Sequence, residues 1–202
     1  MLTLPLNKEG TTPGKLTLSL KKGSKFTIAL AWNSKRDLDV HALLATNNGN
    51  GAKVSAFEQV LSTFNAKRTN PQGTLVTNTD GSFSTPCGSL RHSGDARDGT
   101  TKDIDETIDV DGSKIPAGVN EVPIFVTIHP AGQITFAEVE SASITILDED
   151  GKVLGAFKLT TEFSKFNAVQ MGSLMLGEKG WEFSIVGSGF IGDFNTVLEH
   201  FS

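Results

Sequence analysis

The sequence predicts a mainly β fold closed by one short α-helix at its C-terminal end. Three observations carry this. Leu, Ile, Val and Phe come in short bursts spread along the chain, several bursts alternate polar with apolar residues, and only the last dozen residues repeat at helical spacing. With 202 residues, 38% of them hydrophobic, and a mean hydropathy of −0.11, the composition is that of a globular protein. One β domain accommodates this length, so residues 1–202 are read as a single domain.

The elements follow in order. Lys15 to Leu20 alternates as a half-buried strand does. Phe26 to Trp32 and Val40 to Ala45 continue in that style after the turn Lys21-Lys22-Gly23-Ser24. Val122 to His129 is rich in β-branched residues, and Pro123 fits only near a strand entrance or edge. Ala142 to Leu147 and Lys152 to Leu159 form a hairpin around Asp148-Glu149-Asp150-Gly151. Ala168 to Leu176 and Trp181 to Phe190 form another around Gly177 to Gly180. A short helical turn is expected over residues 133–141. After Gly192-Asp193 the residues Ile191, Phe194, Val197, Leu198 and Phe201 make one apolar stripe that should lie against a sheet. Trp32 and Trp181 are assigned to the core. Residues 67–87 are rich in Asn, Thr, Gly, Ser and Pro without amphipathic period, and read as a polar loop insert or extra hairpin.

Charge is distributed unevenly. Seven of the 23 carboxylates fall within residues 95–111: Asp95, Asp98, Asp103, Asp105, Glu106, Asp109 and Asp111. Against Arg97 and Lys102 this leaves five net negative charges, equal to the whole chain's −5. The rest of the protein is electrically balanced. Upstream, Asp37 and Asp39 share one face of a strand opening, about 7 Å apart. Hard oxygen donors at this density suit Ca²⁺, which takes about six to eight of them at ~2.3–2.6 Å. One cysteine and four scattered histidines form no zinc spacing, Mg²⁺ usually adds waters and substrate phosphates, and the EF-hand template fails. Two carboxylates ~6 Å apart at an effective dielectric of ~20 repel by roughly 3 kcal/mol. Composition alone therefore leaves two readings open, a metal loop and a mobile acidic loop.

Other chemistry is weakly represented. Cys87 lacks an activating base beside it, and no Gly-x-Ser-x-Gly elbow is present. Gly187-Ser188-Gly189 lacks the P-loop pattern and reads as a strand bulge. His92 and His129 have no nucleophile to serve, and His129 reads as a packing residue. The lone cysteine and the absence of a signal-like start favour a reducing, cytoplasmic setting. No apolar run approaches the ~18 residues of a membrane span, and a net negative chain without a basic stripe is not expected to bind nucleic acid.

Taken in order, Gly14 to Trp32, Asp37-Leu38-Asp39, His92-Ser93-Gly94-Asp95, Asp105-Glu106, Phe125 to His129, Phe136 to Val139, and Trp181-Glu182-Phe183 running into Val186 to Phe190 resemble the tellurium-resistance TerD family of calcium-binding proteins. The likeness covers nearly the whole chain apart from the insert. It implies a two-sheet β-sandwich whose loops at one end bind Ca²⁺, without catalytic activity. Carried over by position, the ligand candidates are Asp37, Asp39, Asp95, Asp105 and Glu106, supplemented by Asp98 and Asp103. The pattern departs at Ala96, Lys102, Ile104 and His41, where the family more often has Asn, acidic residues and Ser, so one full calcium site is expected more firmly than two. The expected role is a non-enzymatic, calcium-binding protein of the tellurium-resistance or stress-response type. Its acidic loops would form a surface for protein partners, self-association included. The alternative is a structural or assembly protein reusing the fold, such as a virion decoration component.

Overall fold

The computed structural model describes residues 18–20, 23–100, 104–129, 134–159 and 163–202. Two six-stranded antiparallel sheets face one another. The first contains β1 (Leu18–Leu20), β3 (Asp37–Leu43), β6 (Val60–Leu61), β10 (Glu121–His129), β13 (Ala168–Gly177) and β14 (Gly180–Phe190), in the spatial order β1-β14-β13-β10-β3-β6. The second contains β2 (Lys25–Asn33), β7 (Phe83–Ser84), β8 (Leu90–His92), β9 (Glu106–Asp111), β11 (Glu140–Asp148) and β12 (Val153–Lys158), ordered β12-β11-β2-β9-β8-β7. A small hairpin, β4 (Thr46–Asn47) and β5 (Ala52–Lys53), stands apart. The mainly β, two-sheet expectation holds, and so do both predicted hairpins, β11–β12 and β13–β14.

Strand periodicity explains the core. β9 alternates buried and half-exposed at every residue, sending Ile108 and Val110 inward. Phe26, Ile28, Leu30 and Trp32 of β2 meet Leu38, Val40 and Ala42 of β3 and the inward residues of β10 between the sheets. β10, by contrast, is buried along eight consecutive residues. Its second face is covered too: Phe125 joins Leu43, Phe194, Val197 and Phe201 in a smaller apolar cluster beneath α1 (Phe194–Glu199). A nearly continuous apolar run such as Ile124 to Ile128, broken only by Thr127, whose hydroxyl pairs with His41, is what a strand covered on both sides requires. Asp193 caps α1 by accepting from the Thr196 amide at 3.0 Å. Ile191 departs from the predicted stripe. It precedes the helix and is 74% exposed, because the cap at Asp193 sets the helical phase after it.

Smaller expectations resolve similarly. Trp32 and Trp181 are both buried. Pro123 lies where β10 has not yet joined β3, whose ladder starts at Ile124–Ala42, so no bond to β3 is forfeited. The register of β13 against β14 slips between Gln170–Ser188 and Gly172–Ile185, with Gly187 at φ 63°, making the Gly187-Ser188-Gly189 segment a bulge. The helical turn expected over 133–141 is confined to a 3-10 turn at Phe136–Glu138, and Glu140 already begins β11. Residues 15–17 lie outside the described residues.

Residues 67–87 follow β6, an edge strand of the first sheet, and include β7, an edge strand of the second. Ala66 bridges Leu75, Thr77 bridges Phe83, and β7 pairs with β8. Leu75 and Phe83 reach into the main core.

Candidate metal centre

The site lies where β3 begins and the two sheets come together. β6 pairs with β3 only at Ala42 and Leu43, so the start of β3 has one uncovered edge. Glu106, the first residue of β9, fills that edge with its carboxylate. Oε2 accepts from the Val40 amide at 2.9 Å and Oε1 from the Ala96 amide at 3.1 Å. His92 stacks on Phe83 and directs Nε2 to 3.4 Å from Glu106 Oε2. Its Nδ1 accepts from the Gly94 amide at 3.0 Å, so in the neutral ring the proton sits on Nε2, facing Glu106. Glu106 is fully buried, yet both its oxygens have donors. Asp105 extends the β2 ladder in a similar manner: its amide donates to Leu30 O, and its Oδ2 accepts from the Trp32 amide at 3.0 Å.

Two glycines let the acidic loop approach. Gly94, at φ 113°, passes so close to Gly81 that a Cβ would stand 3.1 Å from the Gly81 carbonyl oxygen. Gly99 packs on Trp32, where a Cβ would fall 2.5 Å from ring and backbone atoms, and its amide donates to Ser34 O at 3.0 Å. The loop is thereby pinned to the 67–87 segment on one side and to the β2–β3 turn on the other.

Between these anchors, Asp95 meets Asp37 and Asp39. One carboxylate oxygen from each lies within 4.8 Å of the others. Asp37 and Asp39 share the outer face of β3, opposite Leu38 and Val40, as strand alternation dictates. Asp39 is 3% exposed and its Oδ1 accepts from Thr63 Oγ1 at 2.7 Å. Asp37 Oδ1 is buried without a hydrogen-bond partner. Asp95 Oδ2 lies 3.3 Å from Arg97 Nε on the solvent side. Burial first, then the charges of Asp95 and Glu106, push the Asp37 carboxyl up to about 7, with Arg97 opposing. Burial, followed by the Glu106 charge, holds Asp39 well above the usual carboxylate range, against the Thr63 hydroxyl.

The donor set fits a hard cation. Two oxygens bound to one Ca²⁺ at ~2.3–2.6 Å stand at most about 5 Å apart, and the three carboxylates meet that spacing. The buried Asp37 Oδ1 is the atom such an ion would satisfy first. The remaining predicted residues fall elsewhere. Asp98 is exposed and closes its own turn, accepting from the Thr100 amide at 3.2 Å and hydroxyl at 2.9 Å. Asp103 lies outside the described residues. Asp105 borders the same cleft, while Glu106 sits behind the cluster. Asp109 pairs with Thr27 and Arg91, and Asp111 caps a 3-10 turn, both away from the site.

The fold agrees with comparisons against known proteins. Residues 5–201 match the TerD domain. The chain belongs to the TerD family. The tellurium resistance protein TerD of Serratia marcescens is 25% identical to it over 209 residues, covering 99% of this chain and 97% of that protein. General stress protein 16U of Bacillus subtilis (strain 168) is 33% identical over 108 residues, covering 52% of this chain and 56% of its own length. The uncharacterized protein YceE of the same organism is 36% identical over 119 residues, covering 57% and 62%. This chain thus spans less than two thirds of the length of those two Bacillus relatives. Among solved structures, a homologue of telluride resistance protein (TerD) from Streptomyces coelicolor A3(2) superimposes with a TM-score of 0.62 at 16% identity, covering 87% of this chain and 95% of that one, and so shares the fold.

In this TerD-family chain several site residues carried no signal in the sequence. Thr63, which orients Asp39, comes from a segment without a recognisable motif, and His92, which faces Glu106, lies in a recognised stretch with no role implied for it there. Arg68 comes from the polar insert, which borders a cleft of about 1130 Å³ above the carboxylates. Among the described residues no helix is long and apolar enough to cross a membrane.

Proposed function

We propose that this TerD-family protein is a non-enzymatic calcium-binding module. Ca²⁺ bound by Asp37, Asp39 and Asp95 would order the loop from Gly94 to Gly99, and the resulting surface would serve a stress or tellurium-resistance response through protein partners. One observation carries the reading: three carboxylates from segments 56 residues apart in sequence converge within 4.8 Å, and two of them are buried enough to be poor anions without a cation. A fold that gathers like charges in this way is stabilised by whatever neutralises them. The proposed role of Glu106 shifts accordingly, since both its oxygens accept from backbone amides, while Asp105 gives Oδ2 to the Trp32 amide and borders the cleft. A binding rather than catalytic role is supported by the partners of the nearby reactive groups. His92 is engaged by Gly94 and Glu106, and Cys87 does not border the cleft.

Calorimetric titration of the full chain with Ca²⁺ tests the reading. A heat of binding is expected that is lost in Asp39→Asn, with a higher melting temperature in Ca²⁺ than in chelator, because a ligand of the native state stabilises it by mass action. Identical melting curves in Ca²⁺ and chelator would overturn it.

A further inference from the structure

The cleft above the carboxylates is larger than an ion requires. Its roughly 1130 Å³ matches or exceeds the ~300–1,000 Å³ typical of small-molecule sites. The cation's coordination would also be incomplete. Thr63 takes one oxygen of Asp39 and Arg97 one of Asp95, while Ca²⁺ takes about six to eight ligands. All three carboxylates line the cleft, so its occupant could supply the missing oxygens.

The walls select the chemistry of what fills it. Arg68 is exposed and forms no ion pair among the described residues, and its guanidinium lies over Gly81, with Nη1 3.2 Å from where a Cβ there would stand. Its backbone is fixed by a bond from its amide to Thr77 Oγ1 at 3.2 Å. An arginine fork on the wall and a cation on the floor both recognise a tetrahedral oxyanion. Phe57, 41% exposed, and the half-buried Phe64 supply apolar surface that an inorganic ion would leave unused. Without the cation, the carboxylates would repel any anion from the floor.

We propose that the cleft binds a phosphate monoester, whose phosphate oxygens complete the coordination of the cation and pair with Arg68 while its body lies against Phe57 and Phe64. The inference rests on the calcium reading, so Ca²⁺ alone is titrated first. Glucose 6-phosphate, inorganic phosphate and glucose are then titrated calorimetrically into the full chain, each in saturating Ca²⁺ and in chelator. Glucose 6-phosphate should bind only with Ca²⁺, inorganic phosphate more weakly, and glucose not at all. Arg68→Ala should weaken glucose 6-phosphate by about tenfold or more, the effect of losing a charge-assisted pair, and leave the calcium titration in place. That retained titration also shows the variant to be folded. Calcium binding without binding of either phosphate overturns the proposal. So does equal phosphate affinity in chelator, or an Arg68→Ala variant that changes calcium affinity alone, which would make Arg68 a mere counter-charge to the acids. Inorganic phosphate binding as tightly as the ester overturns the ester assignment. Failure of the first titration overturns the calcium reading and this proposal together, and is distinguishable because it occurs before any phosphate is added.

Discussion

Two groups of carboxylates stand side by side in this fold and are held in opposite ways. Glu106 and Asp105 face backbone amides, which turn their charge into structure: one closes the bare edge of β3 and ties down Ala96, the other prolongs the β2 ladder. Asp37, Asp39 and Asp95 face chiefly one another. The first group accepts from the chain's own backbone amides, whereas the second, on the proposed reading, is completed by a cation. Burial by itself therefore does not mark a binding residue; the identity of the donors around it does.

The largest effect should come from the self-sufficient group. Glu106→Ala leaves the Val40 and Ala96 amides without acceptors, at a cost of roughly 2–5 kcal/mol. The loss should appear in denaturant unfolding both with Ca²⁺ and without it. A loss seen only in Ca²⁺ would move Glu106 into the ligand group and dissolve the contrast. Asp39→Asn should do the reverse. It should reduce calcium affinity by about a hundredfold, or ~2.7 kcal/mol, while leaving the calcium-free fold as stable or more so, since a buried amide costs less than a buried carboxylate among other acids.

Acidity separates the groups again. The folded-state pKa of Asp37 is raised from the ordinary 3.8 to about 7, so the calcium-free fold holds a proton that the unfolded chain releases. Its contribution is present below about pH 4 and is lost as pH rises through about 7. Thermal scans in chelator should therefore show the melting temperature falling across that window, and saturating Ca²⁺ should remove the fall. A flat profile in chelator would mean that Asp37 is already neutralised within the chain. Thr63→Val, which releases Asp39 Oδ1, should cost about 1 kcal/mol of stability and weaken calcium binding less than Asp39→Asn does. Asp98→Asn, at an exposed turn, should stay within about 0.5 kcal/mol of the parent protein and leave the calcium titration unchanged.

Much of the fold was legible from periodicity because alternation along β2 and β11 is itself the trace of burial on one face. The short strands β4 to β8 were not legible: two or three residues cannot display a period, and their pairing depends on neighbours distant in sequence. Ile191 shows the same limit at the helix, where spacing admitted it to the apolar stripe but the cap at Asp193 excluded it.

The candidate site divides along similar lines. The sequence alone determined that the charge imbalance sits within residues 95–111, that Asp37 and Asp39 share a face, and that these segments resemble the TerD family. Only the tertiary structure decided which acids meet. Asp98, Asp109 and Asp111 belong to the same dense stretch and turn elsewhere, each engaged by nearby hydroxyls, amides or Arg91. Asp95 alone of that stretch joins the pair on β3 among the described residues. The physical reason is that charge density is a property of composition, whereas a coordination site is a set of distances. Those distances depend on Gly94 fitting against Gly81, Gly99 against Trp32, and Glu106 closing the edge of β3.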